Sequence, residues 1–473
     1  MEEIAEKEFI ELLYSENFSE FTDLLINFEN VTNVDLNKVT LSNKFKNCKF
    51  KGERVDFMNL GVLAEFNLTH YFSFDDCEFE NDIYFKDCAV QEIKFSNISK
   101  PIKNLHLAPK RLGYFTFECA ESLDEKIFNE INITIHNCEI IKFLDFLHLK
   151  STGNLIISHC KINRVKIHDS KFKRIDIDHC NFASDFQFTL NSVQNSYFKN
   201  NEFNKTNFSL TDFGIDTEFS FNDFTGTALF EKLKNENRTR VKFKSCNFMK
   251  YTYFNKSTLY DLHIDTSKFQ EFTSFQELEL NSIFLDRTIF EKPAFFDDIE
   301  IFRFSKCNKR TLRNIKQQLL RTDNKIDYDN FRSHELNSYK EELKKNIELK
   351  PKANRKKLRR DLTILRVNSF YSNNGTDWVK AIKRTLLVAI LFYSIFYGIH
   401  NFEKEIDFSN ASGYSEYFIG LFRYFLLTDF HNPLANSREY LVNVWEWIPF
   451  VFGKIFIGIG IYEILVSFRK FRK

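Results

Sequence analysis

Two His-Cys dipeptides, His159-Cys160 and His179-Cys180, recur at an interval of twenty in a 473-residue chain with nine cysteines and eleven histidines. Imidazole and thiolate are common zinc ligands, so the first chemistry to weigh is a metal site or a reactive thiol pair. The chain has no C-x-x-C. Consecutive side chains of an extended segment point to opposite faces, so two such dipeptides cannot close one tetrahedral shell. Asp75/Asp76 and Asp297/Asp298 are adjacent carboxylates that read as solvated turn residues rather than an acid–base pair. Motifs for phosphate loops, dinucleotides, zinc proteases and nucleophile elbows are absent. Neither catalysis nor a metal or cofactor is expected.

A second group of candidates lies near the C-terminus. Lys454 and Glu463 interrupt the apolar stretch Trp447–Phe468, and Asp429 and His431 lie in the loop before it. Ionisable groups are costly in lipid and usually face a partner or water, which makes these four the candidate pore or intramembrane polar residues. Gly453, Gly458 and Gly460 permit close helix contact or a hinge. Thr385–Ile399 is the other apolar stretch, extended by Trp378–Arg384 with Lys380, Lys383 and Arg384 snorkelling. Those cations precede the first span, and Arg469–Lys473 follows the second. The loop between holds three Lys/Arg against seven Asp/Glu, so both termini are expected on the cytoplasmic side of the plasma (inner) membrane. Tyr417–Pro433 is apolar but too short to span, and reads as an interfacial or re-entrant segment.

The His-Cys spacing itself has a geometric reading. Leu155/Ile157, Cys160/Ile162, Val165/Ile167, Ser170/Phe172, Ile175/Ile177 and Cys180/Phe182 are pairs two positions apart, recurring every five. A helix repeats at 3.6 and a plain strand at 2, so neither explains the pattern. Two inward residues followed by a corner describe a solenoid, and four such sides make one coil, which matches the interval between the dipeptides. The same frame runs, with slips, through Phe72–Phe95, Ser196–Phe213, Val241–Phe248, Ser257–Phe269 and Leu278–Phe290, with insertions near Pro101–Lys150 and Glu231–Arg240. Most cysteines fall at the small inward position, which makes them core filler, and His159 and His179 then face outward. The 57 phenylalanines are the repeated core residue. The odd number of scattered thiols points to a reducing compartment.

Over Leu41–Phe304 the chain resembles the pentapeptide-repeat family, with a large apolar residue at each repeat centre and a small residue two positions before it. The resemblance implies a right-handed quadrilateral β-helix. The family's favoured Ala is scarce here, and β-branched residues often occupy the small site. The expected fold class is therefore mainly β, a β-helix with an N-terminal helical cap and a C-terminal two-span helical domain. The cap, residues 1–38, rests on the helical spacing of Phe9, Leu12 and Leu13, then Phe21, Leu24, Leu25 and Phe28. The solenoid follows over 39–304, a basic helical linker over 305–376 and the membrane module over 377–473.

Charge separates these parts. Leu41–Phe304 carries 34 Lys/Arg against 38 Asp/Glu, too balanced for an acidic nucleic-acid mimic. Ser305–Arg384 carries 22 against nine, and its run of Arg355, Lys356, Lys357, Arg359 and Arg360 is the candidate contact for anionic lipid or phosphate. The net charge of +1 gives no general argument for nucleic acid, which is not an expected partner. The C-terminal hundred residues, with "SNNGTDWVKAIKRTLLVAILFYSIFY" and "KIFIGIGIYEILVSFRKF", resemble the tails of channel-like bacterial pentapeptide-repeat membrane proteins. That resemblance implies a channel-like or membrane-perturbing protein. Two spans cannot enclose a pore, so a homo-oligomer is expected, with the lipid bilayer and anionic lipids as partners. The rod would sense or assemble by binding a protein or small ligand, a layout that bacterial stress or phage-defence effectors would have. The alternative is a non-conducting membrane-tethered scaffold.

Overall fold

The computed structural model describes residues 1–16, 19–39, 42–59, 68, 70–98, 102–119, 131–150, 153–236, 238–349, 355–402, 411–435 and 438–469. The chain divides into two compact units, Met1–Thr311 and Leu312–Lys473.

The first unit is a parallel β-solenoid of about 12 turns. Each strand pairs in parallel with its equivalent in the next turn. All the residues of the six five-spaced pairs from Leu155 to Phe182 are buried. The turn length is less regular than the sequence period. Leu155 pairs with Ile175, at the interval of the His-Cys dipeptides, but Ile175 pairs with Ser196 and Ser196 with Thr217, one position longer each time. The extra residue enters at a corner: Ile162 pairs with Phe182 but Val165 with Phe186. Across Pro101–Lys150 the expected insertion is present, since Leu105 pairs with Ile133, 28 positions on, while pairing of the strands continues on both sides of it. Ile102–Ala108, Arg111–Cys119, Asn132–His136 and Glu139–Leu147 are all paired strands, and residues 120–130 lie outside the described ones. Near Glu231–Arg240 the insertion is plain: Phe219 pairs with Phe243, skipping the inserted segment to keep ring over ring.

The corners explain the His-Cys dipeptides. Asn137, His159, His179, Asn200, Ser245 and Thr266 occupy equivalent corners with φ between 49° and 53°. This left-handed region is one that Asn, Asp and His tolerate better than most residues. His159 and His179 donate their backbone N–H to the Asp178 and Lys199 carbonyls of the following turn. The next residue then turns inward where space is tight, and it is Cys138, Cys160, Cys180, Asn201, Cys246 or Ser267, all buried. Asn201 uses its position fully: its side chain donates to the Ile177 carbonyl at 2.9 Å and accepts the Cys180 N–H at 2.9 Å.

Phenylalanine fills the remaining volume as ladders along the solenoid. Phe182, Phe203, Phe224, Phe248, Phe269 and Phe290 stack ring on ring, with centroids 4.5–5.2 Å apart. Ring stacking also reaches the N-terminal end, where the sequence reading needs correction. Helix α1, Glu6–Tyr14, forms as expected. Glu20–Thr22, Leu24–Asn27 and Val31–Asp35, however, are strands paired into the sheets rather than a second helix. Phe21 stacks on Phe45 at 4.9 Å. Phe9 of α1 lies within 6.4 Å of the rings of Phe21, Phe28, Phe45 and Phe50, so one helix closes the open end of the core.

The second unit is helical. Helix α2 is Lys309–Arg321, α3 Lys325–Leu349 and α4 Arg355–Ser372. Helix α5 is Trp378–His400, α6 Ala411–Tyr424 and α7 Val444–Phe468. Leu358, Leu362 and Leu365 pack α4 onto Leu336, Tyr339 and Leu343 of α3. A second cluster joins α5, α6 and α7 through Tyr393, Phe396, Tyr424, Phe450 and Ile457.

Candidate functional site

On the solenoid, the His159 and His179 rings stack outside at 5.0 Å, and Cys160 and Cys180 lie inside. Imidazole and thiol are therefore on opposite sides of the wall. Burial pushes the Cys246 thiol up to about 12 and does the same at Cys88 and Cys119, so these thiols stay protonated and unreactive. The sequence-derived candidates that matter lie in α4 to α7.

Helices α5 and α7 are long and apolar enough to cross a membrane. Only 33% and 39% of their most apolar windows are buried. Leu387, Ile390 and Leu391 of α5, and Phe452, Ile455 and Leu465 of α7, lie open. The core helix of a water-soluble domain would cover such a surface.

The two helices run antiparallel. Trp378 meets Phe468 at one end, at 5.3 Å, and His400 meets Glu446 at the other, at 3.3 Å. Their contact is close because two glycines sit in it. A Cβ on Gly460 would collide with Thr385, and one on Gly453 with Phe392 and the Tyr424 hydroxyl. Gly458 faces open space, its nearest neighbour being a Leu427 methyl at 3.9 Å, so it belongs to a different face.

Lys454 is 5% exposed and stands roughly 15 Å along α7 from the start of that helix. Its ammonium donates to the carbonyls of Leu426, at 2.5 Å, and Tyr424, at 3.3 Å. It also lies 4.8 Å from the Phe450 ring centroid. Tyr424 is the last residue of α6 and Leu426 lies two beyond it, at the carbonyl end of the helix where cations are favoured; the Leu426 carbonyl also accepts the Asp429 N–H at 3.2 Å. Lys454 therefore closes off α6 instead of facing an open path within this chain. Helix α6 packs against α5 and α7 near their loop end. The Tyr417 and Ser394 hydroxyls meet at 2.7 Å, and the Tyr424 hydroxyl donates to the Pro449 carbonyl at 2.8 Å. Beyond Leu426 the chain turns back, held by Arg423 donating to the Ala435 carbonyl at 2.8 Å.

Glu463 is 3% exposed and accepts a hydrogen bond from the Ser372 hydroxyl. Ser372 in turn accepts from the Gly375 N–H at 2.7 Å. This pins the α4–α5 turn, where Asn373, Asn374 and Gly375 are all left-handed. Asp429 and His431 are brought together, His431 Nδ1 lying 2.7 Å from the carboxylate, but their side chains are partly exposed and they stand on the returning loop. Arg355, Lys356, Arg359 and Arg360 line one open groove on the first turns of α4, while Lys357 is exposed outside it. Residues 350–354 and 470–473 of the basic runs lie outside the described residues.

Sequence reasoning missed Ser372, Thr385, Tyr424 and Glu446. Each is an ordinary hydroxyl or loop-edge residue whose importance comes from a partner far along the chain, as Glu463 is for Ser372 and Pro449 for Tyr424. Comparison with family models, curated proteins and solved structures finds no match for this chain.

Proposed function

We propose that this is a membrane-anchored solenoid protein whose helical unit is one subunit of an oligomeric, channel-like assembly in the plasma (inner) membrane. The observation that carries the reading is the course of α6. It packs beside two candidate spans, ends opposite Lys454 and turns back, which supports the order span, re-entrant helix, span. Two spans from one chain cannot enclose a pore, so several copies are required. Cations at Lys380, Lys383, Arg384 and Arg469 support placing both termini, and with them the solenoid, on the cytoplasmic side. The five-residue pairing with a small inward partner supports kinship with pentapeptide-repeat proteins. The solenoid is the platform for assembly or for a ligand that biases the membrane helices.

A non-conducting tether is the second reading, favoured by one fact: Lys454 and Glu463 both find partners within a single chain. Full-length protein reconstituted in planar bilayers separates the two. The channel reading expects an oligomer in detergent and discrete conductance steps. A monomer without conductance establishes the tether.

A further inference from the structure

Helix α4 has three differently used faces. Leu358, Leu362 and Leu365 pack on α3. A second face carries Lys356, Arg359 and Arg360, lining an open groove of about 800 Å³ that ends at Thr363 and Ile364. Thr363 also begins a second groove of about 320 Å³, walled by Val367 and Phe370 of α4, Val388 and Phe392 of α5, and Phe456 of α7. The two grooves meet at Thr363, which makes a furrow that is cationic at one end and apolar at the other. Among the described residues no carboxylate pairs with Lys356, Arg359, Arg360 or Arg366, whereas Arg313 and Lys316 of α2 share Glu335. At the apolar end Arg384 lies over the Phe370 ring, 4.9 Å from its centroid.

We propose that this furrow is a binding site for one anionic phospholipid, its phosphate held by Lys356, Arg359 and Arg360 and an acyl chain lying between α4, α5 and α7. A soluble phosphate would use only the cationic half and leave the apolar half wet. A zwitterionic lipid would leave the cations without a net counter-charge. Only an anionic amphiphile matches both halves. The proposal rests on the membrane placement of α5 and α7, and deepens it by naming the lipid class that the module selects.

The test is native mass spectrometry of the delipidated full-length protein in mild detergent. It is titrated with dioleoylphosphatidylglycerol, with dioleoylphosphatidylcholine and with inorganic phosphate. One phosphatidylglycerol per chain is expected, retained at least tenfold better than phosphatidylcholine. R359Q and R360Q, on an exposed face, each lower that retention by about fivefold. V367W fills the apolar half and abolishes lipid retention, with size-exclusion profile and thermal midpoint checking its fold. Equal retention of the two lipids overturns the proposal, as does unchanged binding in R359Q/R360Q. Competition by inorganic phosphate alone would make the groove a soluble-anion site and also overturn it. Carbonate extraction of membranes separates the two levels. A chain released by carbonate removes the membrane placement itself, whereas an integral chain without lipid preference removes only the lipid site.

Discussion

Phe248 is the best place to measure how the solenoid is held together. It is fully buried, with the Phe224 and Phe269 rings each 4.5 Å away and nearly parallel, and Phe243 edge-on at 5.6 Å. Phe248→Ala removes the ring while backbone pairing of Asp223 with Asn247 and of Asn247 with Lys268 fixes the spacing of the turns. The walls cannot close on the void, so the cost belongs in the upper range for such truncations, about 4 kcal/mol. That corresponds to roughly a thousandfold rise in the local opening equilibrium. Phe248→Leu keeps most of the volume and costs about 1–1.5 kcal/mol. Hydrogen exchange read by mass spectrometry on the full chain resolves this turn by turn. Protection is expected to fall by two to three orders of magnitude around Asp223–Phe224, Asn247–Phe248 and Lys268–Phe269, and to stay unchanged around Phe45 and Phe74. This follows because each turn touches only its neighbours. A loss below tenfold would show that the walls collapse. An equal loss from Phe45 to Phe290 would show one cooperative body, and would refute the nearest-neighbour argument.

Three further outcomes follow from the packing. Native protein treated with a thiol reagent should label none of its nine cysteines, all of which are buried, and label all nine after denaturation. Burial would raise the Glu335 carboxyl, but hydrogen bonds from Lys316 and Arg313 outweigh it and hold it below the usual glutamate range. Its contribution to α2–α3 docking is therefore present above the unfolded value near ~4.3 and lost as pH falls through the lower folded value. Exchange protection of α2 should drop below about pH 4 and already be low at pH 7 in E335Q. In bilayers, K454M should change conductance by freeing the end of α6, and the same variant should speed exchange at Leu426; altered conductance with unchanged exchange would instead place Lys454 in the ion path.

The five-residue period was legible because the inward pairs are local: Cys160 and Ile162 declare a side of the coil without reference to any other turn. What the sequence could not display is the competition between local and distant pairing. Phe21, Leu24, Leu25 and Phe28 have helical spacing, yet Phe21 stacks on Phe45 and Ile26 pairs with Phe50, and this distant pairing prevails. The corner residues were hidden for a related reason. A left-handed φ at His179 depends on the next turn accepting its N–H through Lys199, not on the dipeptide itself. In the helical unit, Lys454 and Glu463 were recognisable as groups that need partners. Their partners, Leu426 and Ser372, lie on segments that no local pattern connects to α7. Among the three glycines only the helix packing distinguishes Gly453 and Gly460 from Gly458.

These partners alter what Lys454 and Glu463 imply about the helical unit. A helix that stops inside a membrane leaves carbonyls that water cannot reach, and each must be satisfied by protein. On the proposed membrane placement helix α6 stops in this way, and Lys454 adds donors and the positive charge that the carbonyl end of the helix favours. On that reading the lysine serves the end of α6 whether or not ions pass, and its presence does not by itself argue for conduction. The same holds for Glu463, which is needed to anchor a turn of three left-handed residues. A polar side chain still partly open to a second copy or a solute is that of Asp429 on the returning loop, 41% exposed and paired with His431. The case for a conducting assembly therefore rests on that loop and on how several copies would bring it together, with Lys454 holding it in position from behind.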